Sequence, residues 1–125
     1  MRRREVLVFV RRGAELLVLL RSPEGGGYWH SVAGGVEPDE SDRDAARREL
    51  REETGFEGEL VEPVGAYVYE PYGVACSCFV IDVPEAWEPV LDHEHAEYRW
   101  CSREDADRLL RWPEPRGLLA AVCPA

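Results

Sequence analysis

Gly34-Gly35-Val36-Glu37-Pro38-Asp39-Glu40, seven further residues, and then Arg48-Glu49-Leu50-Arg51-Glu52-Glu53-Thr54-Gly55-Phe56 form the stretch whose reading decides the fold. Gly34-Gly35 predicts a flexible approach, since glycine permits close backbone contact or positive φ. Residues 36–39 predict a loop containing Pro38. Ser41 or Asp39 caps the next element, because a short side-chain oxygen accepts the free N–H groups of a first helical turn. The predicted helix spans residues 41–54. Gly55 stands where a left-handed residue ends a helix.

On a helical wheel, Glu49, Glu52 and Glu53 share one arc of about 100°. Ala45, Ala46 and Leu50 share or flank that arc, whereas Arg43, Arg47 and Arg51 lie opposite. The three acids are therefore expected to look toward the protein. A merely solvated helix would turn its acids outward among the arginines. Inward carboxylates repel one another and lose hydration, and divalent cations would relieve both. Ligands made only of oxygen favour Mg²⁺ or Mn²⁺ over a soft metal. Arg48 precedes Glu52 by four residues and is placed to brace its carboxylate.

Residues 34–56 resemble the signature box of the Nudix hydrolases at every defining position. The resemblance implies hydrolysis of a nucleoside diphosphate linked to another group, with Mg²⁺ or Mn²⁺ held by the box glutamates. By position, Glu49, Glu52 and Glu53 match the metal ligands. Glu40 matches the outer acid, and Arg48 the bracing arginine. A backbone carbonyl at Ala33 or Gly34 is the further ligand implied. The resemblance continues into Glu94-His95-Ala96-Glu97-Tyr98-Arg99-Trp100. There it implies that Glu94 is a metal ligand or the general base, with Glu97 as fallback. The plain alternative is a hydrated acid in an acidic loop.

A length of 125 residues predicts one domain with a real core. A net charge of −10 argues against nucleic acid or an anionic membrane as partner, so an anionic substrate must meet metal or local arginines. There is no lysine, which excludes a lysine nucleophile or Schiff base. Cys76, Cys78, Cys101 and Cys123 form no C-x-x-C pair and are read as buried free thiols of a reducing compartment. The apolar run after Arg2-Arg3-Arg4 is too short for a signal sequence, and no stretch could span a bilayer. A cytoplasmic monomer or homodimer is expected.

Along the chain, residues 5–11 and 15–21 predict a hairpin about Gly13-Ala14. Residues 22–27 predict a mobile glycine-rich loop, and 28–32 a short strand. Residues 57–70 are expected to be extended, with Gly65 at a bulge or bend. A turn at Pro71-Tyr72-Gly73 precedes a strand over 74–83. After an acidic loop over 84–94 comes a strand over 97–101, then a helix over 102–110 opened by Ser102. Pro113-Glu114-Pro115 is expected to break the chain before a last helix over 116–122. Strands, helix, strands and helix in that order predict α+β architecture with mixed sheets. The Nudix fold is of this kind, an αβα sandwich around a mixed β-sheet.

Trp29 lies in a segment resembling the dihydroneopterin triphosphate and dATP pyrophosphohydrolase branch, and with Tyr28 is a candidate to stack on a base or pterin ring. Tyr72 lies near the offset at which dinucleoside polyphosphate hydrolases carry a tyrosine. Arg21 is a candidate to grip a phosphate. Each has a plain alternative: core aromatic, strand-edge tyrosine, or solvated strand end. His93, His95 and Cys101 do not make up a zinc set. The expected substrate is a (deoxy)nucleoside or dihydroneopterin triphosphate, cleaved to a monophosphate and pyrophosphate. The alternatives are a dinucleoside polyphosphate hydrolase, a silent Nudix-fold nucleotide-binding module, and a plain acidic cation-binding protein.

Overall fold

The computed structural model describes residues 3–59 and 61–123. Strand β1 (Arg3–Arg12) is central, and its middle residues are buried on both faces. Alternation divides them. Val6, Val8 and Val10 join one core, and Leu7 and Phe9 the other. Strand β2 (Glu15–Arg21) splits likewise, with Leu17 and Leu19 on one side and Leu16 and Val18 on the other.

The predicted hairpin is real but short. β1 and β2 pair only at Arg11↔Leu16 and Arg12↔Glu15. Beyond that the strands part. β2 takes β3 (Trp29–His30) and β7 (His95–Cys101) as neighbours. β1 takes β4 (Val32–Gly35) antiparallel and β6 (Val74–Asp82) parallel, and β6 pairs β5 (Glu62–Tyr69). The short strand expected over 28–32 is thus two strands meeting at Ser31, where the chain crosses from β2 to β1. Gly34 and Gly35 belong to β4, paired with Val6 and Glu5, rather than to a flexible approach.

Helix α1 (Asp42–Thr54) covers one face of the sheet. Its N-terminus is the expected one: Ser41 Oγ accepts from Asp44 N–H at 3.1 Å. Gly55 ends it at φ 80°, its N–H reaching Arg51 O. Asp42 fastens the first turn by accepting from Ser77 Oγ at 2.6 Å and pairing with Arg4. Leu50 is fully buried under the helix, a contribution of roughly 1.5–3 kcal/mol.

The other face carries α2 (Arg103–Leu109), capped by Ser102, and α4 (Leu119–Val122). Between them lies α3 (Pro113–Arg116). The proline pair expected to break the chain instead opens this helix, because an N1 proline lacks only an N–H that has no helical partner there. The last helix is correspondingly two short pieces. Residues 22–27 close as a 3₁₀ turn with Gly25 and Gly27 N–H on Ser22 O, at 2.9 and 3.1 Å. The segment expected to be extended from residue 57 is strand only over β5, with a register shift between Pro63 and Gly65; Leu60 lies outside the described residues. All four cysteines are free and buried. No described helix is long and apolar enough to cross a membrane.

Candidate active site

The inner face of α1 meets β4 at its two glycines. At Gly34 a Cβ would sit 2.5 Å from Glu49 Oε1 and overlap the rest of that carboxyl group. A side chain at residue 34 would therefore displace the Glu49 carboxyl group, and φ plays no part. Glu53 is 2% exposed. Its Oε1 accepts the Ala33 N–H at 3.3 Å and faces His95 Nε2 at 3.8 Å. His95 is buried too, and its Nδ1 is 2.8 Å from Asp92 Oδ1. Burial, then the hydrogen bond and charge of Glu49, push the Glu53 carboxyl up to about 10.

Arg48 ties the outer acids together. Its Nε and Nη2 donate to Glu40 at 2.9 and 3.0 Å, and Nη2 also to Gly35 O at 2.8 Å. Nη1 donates to Glu49 at 2.6 Å and, at 3.3 Å, to Glu52. The expected brace on Glu52 is thus the longest of these bonds, and Glu40 is the chief partner. The Glu40 bonds, chiefly, raise the Arg48 pKa further.

Expectation and structure differ at Glu52, whose side chain is 52% exposed. Consecutive helical residues project about 100° apart. With Glu53 directed at β4, Glu52 must look toward solvent. Among the described residues no three His, Cys, Asp or Glu side chains are grouped to hold a metal ion. Two do converge, Glu49 and Glu53, and a buried carboxyl holding its proton against a neighbouring acid is the conflict that a divalent cation resolves. The donors are all oxygen, which suits a hard cation. Glu49 and Glu53, with a backbone carbonyl of Ala33 or Gly34, fit such an ion, and Glu52 stands at the solvent edge beside them.

The bonds from Arg48 and then from the Glu37 N–H hold the Glu40 carboxylate down to about 2, from an ordinary 4.5. An acid with a depressed folded pKa stabilises the fold above its unfolded value, and that contribution is lost as pH falls through the folded one. The window therefore runs from 4.5 down to about 2. Glu40→Gln is expected to lose less melting temperature than wild type across that interval. Parallel curves for the two proteins would refute the linkage.

On the opposite face of the sheet, β3, β5 and α3 enclose a cleft of about 280 Å³. Tyr28, Tyr67, Tyr69 and Trp112 supply its aromatic walls, and Arg3, Glu5, His30 and Glu114 its polar groups. Trp112 packs 5.9 Å from Tyr28 and 5.4 Å from Tyr69 between ring centroids. Tyr72 is at the rim, 74% exposed. β4 links cleft and acids: Gly34 lies under Glu49, and Gly35 pairs with Glu5 in the cleft wall.

The other candidate residues occupy varied positions. Glu94 is half-buried just before β7, its carbonyl accepting the Ser22 N–H at 2.8 Å. It adjoins His95, which faces Glu53. Glu97 is exposed and pairs with Arg99 at 3.7 Å. Trp29 does not line the cleft; it packs on the α2-side core with Arg99 over its ring at 4.8 Å. Arg21 donates to Gly25 O at 3.3 Å and so holds the turn after β2. Sequence reasoning missed the Asp92–His95 pair, whose only signal was the H-x-H of His93 and His95. It also missed Tyr67, Trp112 and Glu114, which no local pattern connects.

The sequence matches the family described as the NUDIX domain over residues 1–122. It is 36% identical over 103 residues to the CTP pyrophosphohydrolase of Escherichia coli (strain K12), covering 81% of this chain and 76% of that protein. It is 30% identical over 109 residues to the asymmetrical bis(5'-nucleosyl)-tetraphosphatase of Mus musculus, covering 82% and 74%. A C. elegans Ap4A hydrolase, solved as a binary complex, superposes with a TM-score of 0.80 at 26% identity, covering 94% and 93% of the two chains.

Proposed function

The chain belongs to the NUDIX domain family and is a Nudix hydrolase, and from that premise we propose that it hydrolyses a (deoxy)nucleoside or dihydroneopterin triphosphate to the monophosphate and pyrophosphate. The family acts on small-molecule nucleotides with the help of divalent cations. For this chain the reading rests on one observation: a cleft of about 280 Å³ with aromatic walls lies one strand away from the Glu49–Glu53 pair. That volume suits one ring. The −10 charge of the chain makes a cation necessary to bring a polyphosphate against these acids.

Glu49, Glu52 and Glu53 would hold Mg²⁺ or Mn²⁺, with the Ala33 or Gly34 carbonyl. The bound ion supplies positive charge that neutralises phosphate oxygens and acidifies water. Arg48 keeps Glu49 oriented while Gly34 leaves it room. Glu94 takes a proton from the attacking water as its oxygen bonds in line to phosphorus and the α–β phosphoanhydride breaks, with pyrophosphate leaving after attack at the α phosphorus or the monophosphate leaving after attack at the β phosphorus. Attack at either phosphorus gives the same two products. Tyr28, Tyr67 and Trp112 hold the ring by stacking.

One observation favours a second reading. Tyr72 stands out from the rim beside Tyr69, at 5.3 Å between centroids, where a second ring could stack. That arrangement suits a dinucleoside polyphosphate. Chromatography of the products from a substrate panel in Mg²⁺ separates the readings. Monophosphate and pyrophosphate are expected from a triphosphate, with Glu94→Gln lowering kcat far more than it weakens binding. Rapid cleavage of a diadenosine polyphosphate with triphosphates left intact would overturn the first reading.

A further inference from the structure

His95 takes no part in the chemistry proposed for the site, yet it is buried at the edge of that site, 7% exposed. Its ring stands between two carboxyl groups. Nδ1 lies 2.8 Å from Asp92 Oδ1, and Nε2 lies 3.8 Å from Glu53 Oε1. Asp92 and His95 also close the turn that carries Glu94, because the His95 N–H donates to Asp92 O at 3.3 Å. The segment is fastened at both ends. The Val90 N–H donates to the O of Thr54, next to Glu53, and Glu94 O accepts the Ser22 N–H, each at 2.8 Å. Closing the turn needs only Nδ1. The far side of the ring, turned to a buried acid, calls for a second explanation.

We propose that Asp92 and His95 are a positioning pair: Asp92 sets the imidazole, and the imidazole holds the Glu53 carboxyl group in the orientation that presents it to a cation beside Glu49. This rests on the reading of Glu53 as a metal ligand. An ionised carboxylate accepts hydrogen bonds and donates none, so the Nδ1 that faces Asp92 carries a hydrogen. That bond fixes the ring and the place of its other nitrogen. At 3.8 Å from Glu53, Nε2 is beyond hydrogen-bond reach and acts as a wall. Glu53 Oε1 is thereby enclosed between the imidazole and the Ala33 N–H, which it accepts at 3.3 Å. A carboxyl group with one oxygen enclosed cannot swing freely, and its other oxygen is the one left for a cation. The same clasp holds Glu94, so the candidate base and the candidate ligand are set by one pair of residues.

Calorimetric titration of the metal-free protein with Mn²⁺ tests this without turnover. Asp92→Ala is expected to weaken Mn²⁺ binding about tenfold or more, the scale on which affinity falls when a group that orients a ligand is removed. Asp92→Asn keeps an oxygen that accepts from Nδ1–H, and is expected to stay within about threefold of wild type. His95→Asn retains a donor for Asp92 but removes the edge that faces Glu53, and should weaken binding as Asp92→Ala does. Asp92 is half-buried, and metal-free melting temperatures near wild type in its two variants would place the effect on the site and not on the fold. Wild-type affinity in Asp92→Ala, equal losses in Asp92→Ala and Asp92→Asn, or a metal-free melting temperature that falls along with the affinity would overturn the proposal. Glu53→Gln in the same titration tests the metal reading separately. If wild type binds no Mn²⁺, or Glu53→Gln binds it as tightly as wild type, Glu53 is no ligand and the positioning pair falls with it.

Discussion

Glu53→Gln is expected to lower kcat in Mg²⁺ by roughly three orders of magnitude, since charge stabilisation by a bound metal is worth several kcal/mol. The same change should leave the fold intact. In the metal-free protein burial and Glu49 push Glu53 up to about 10. An acid whose folded pKa is raised keeps a proton that the unfolded chain gives up, so stability falls as pH rises between the unfolded and folded values. Glutamine needs no proton, and the metal-free variant should therefore melt at or above wild type at pH 8. Mg²⁺ should raise the melting temperature of wild type and have little effect on the variant. Near wild-type turnover would remove Glu53 from the metal site. Lost turnover together with a collapsed metal-free melting temperature would reassign it to a structural role.

Gly34→Ala is expected to lower kcat about a hundredfold, the scale set by displacing a catalytic group by an ångström or so. The added carbon would meet the Glu49 carboxyl group 2.5 Å from Oε1. That carboxyl would have to turn away from Glu53 or release Arg48. Gly35→Ala is the control. A Cβ there meets nothing within 4 Å, and its strand pairing is the same in kind. Equal losses in the two variants would show that β4 tolerates no side chain at either position, and that close approach to Glu49 is not the reason for Gly34.

The helix and its ends were legible because their causes are local. Ser41, Gly55 and the spacing of Ala45, Ala46 and Leu50 act within a few turns of the chain. The strands of β1, β2 and β6 were legible from apolar runs. The wheel mistook Glu52 because an arc of about 100° is wider than the groove a helix turns toward a strand. Glu53 occupies the middle of that groove and Glu52 its solvent edge. The division of residues 28–35 between two strands depends on β1 and β2 parting after two pairs, which neither strand's residues record by themselves. The cleft was illegible for a related reason. Tyr28, Tyr67 and Trp112 come from three distant segments, and only tertiary packing makes them neighbours. Trp29 was named beside Tyr28, and His30 passed over, because residue types alone do not fix which face a short strand turns toward the ring.

The early parting of β1 from β2 divides labour within the molecule. The paired acids Glu49 and Glu53 depend on α1 and on β4, which is anchored to β1. The lining of the cleft is drawn mainly from the segments of β3, β5 and α3, with Arg3 and Glu5 of β1 joining them, all outside residues 34–56. Changes in the lining can accumulate without disturbing Gly34, Glu49 or Glu53. On the proposed reading, a fold wired this way keeps its bond-breaking chemistry fixed while its choice of nucleotide drifts. Descendants of such a chain would diverge first in diet and last in reaction.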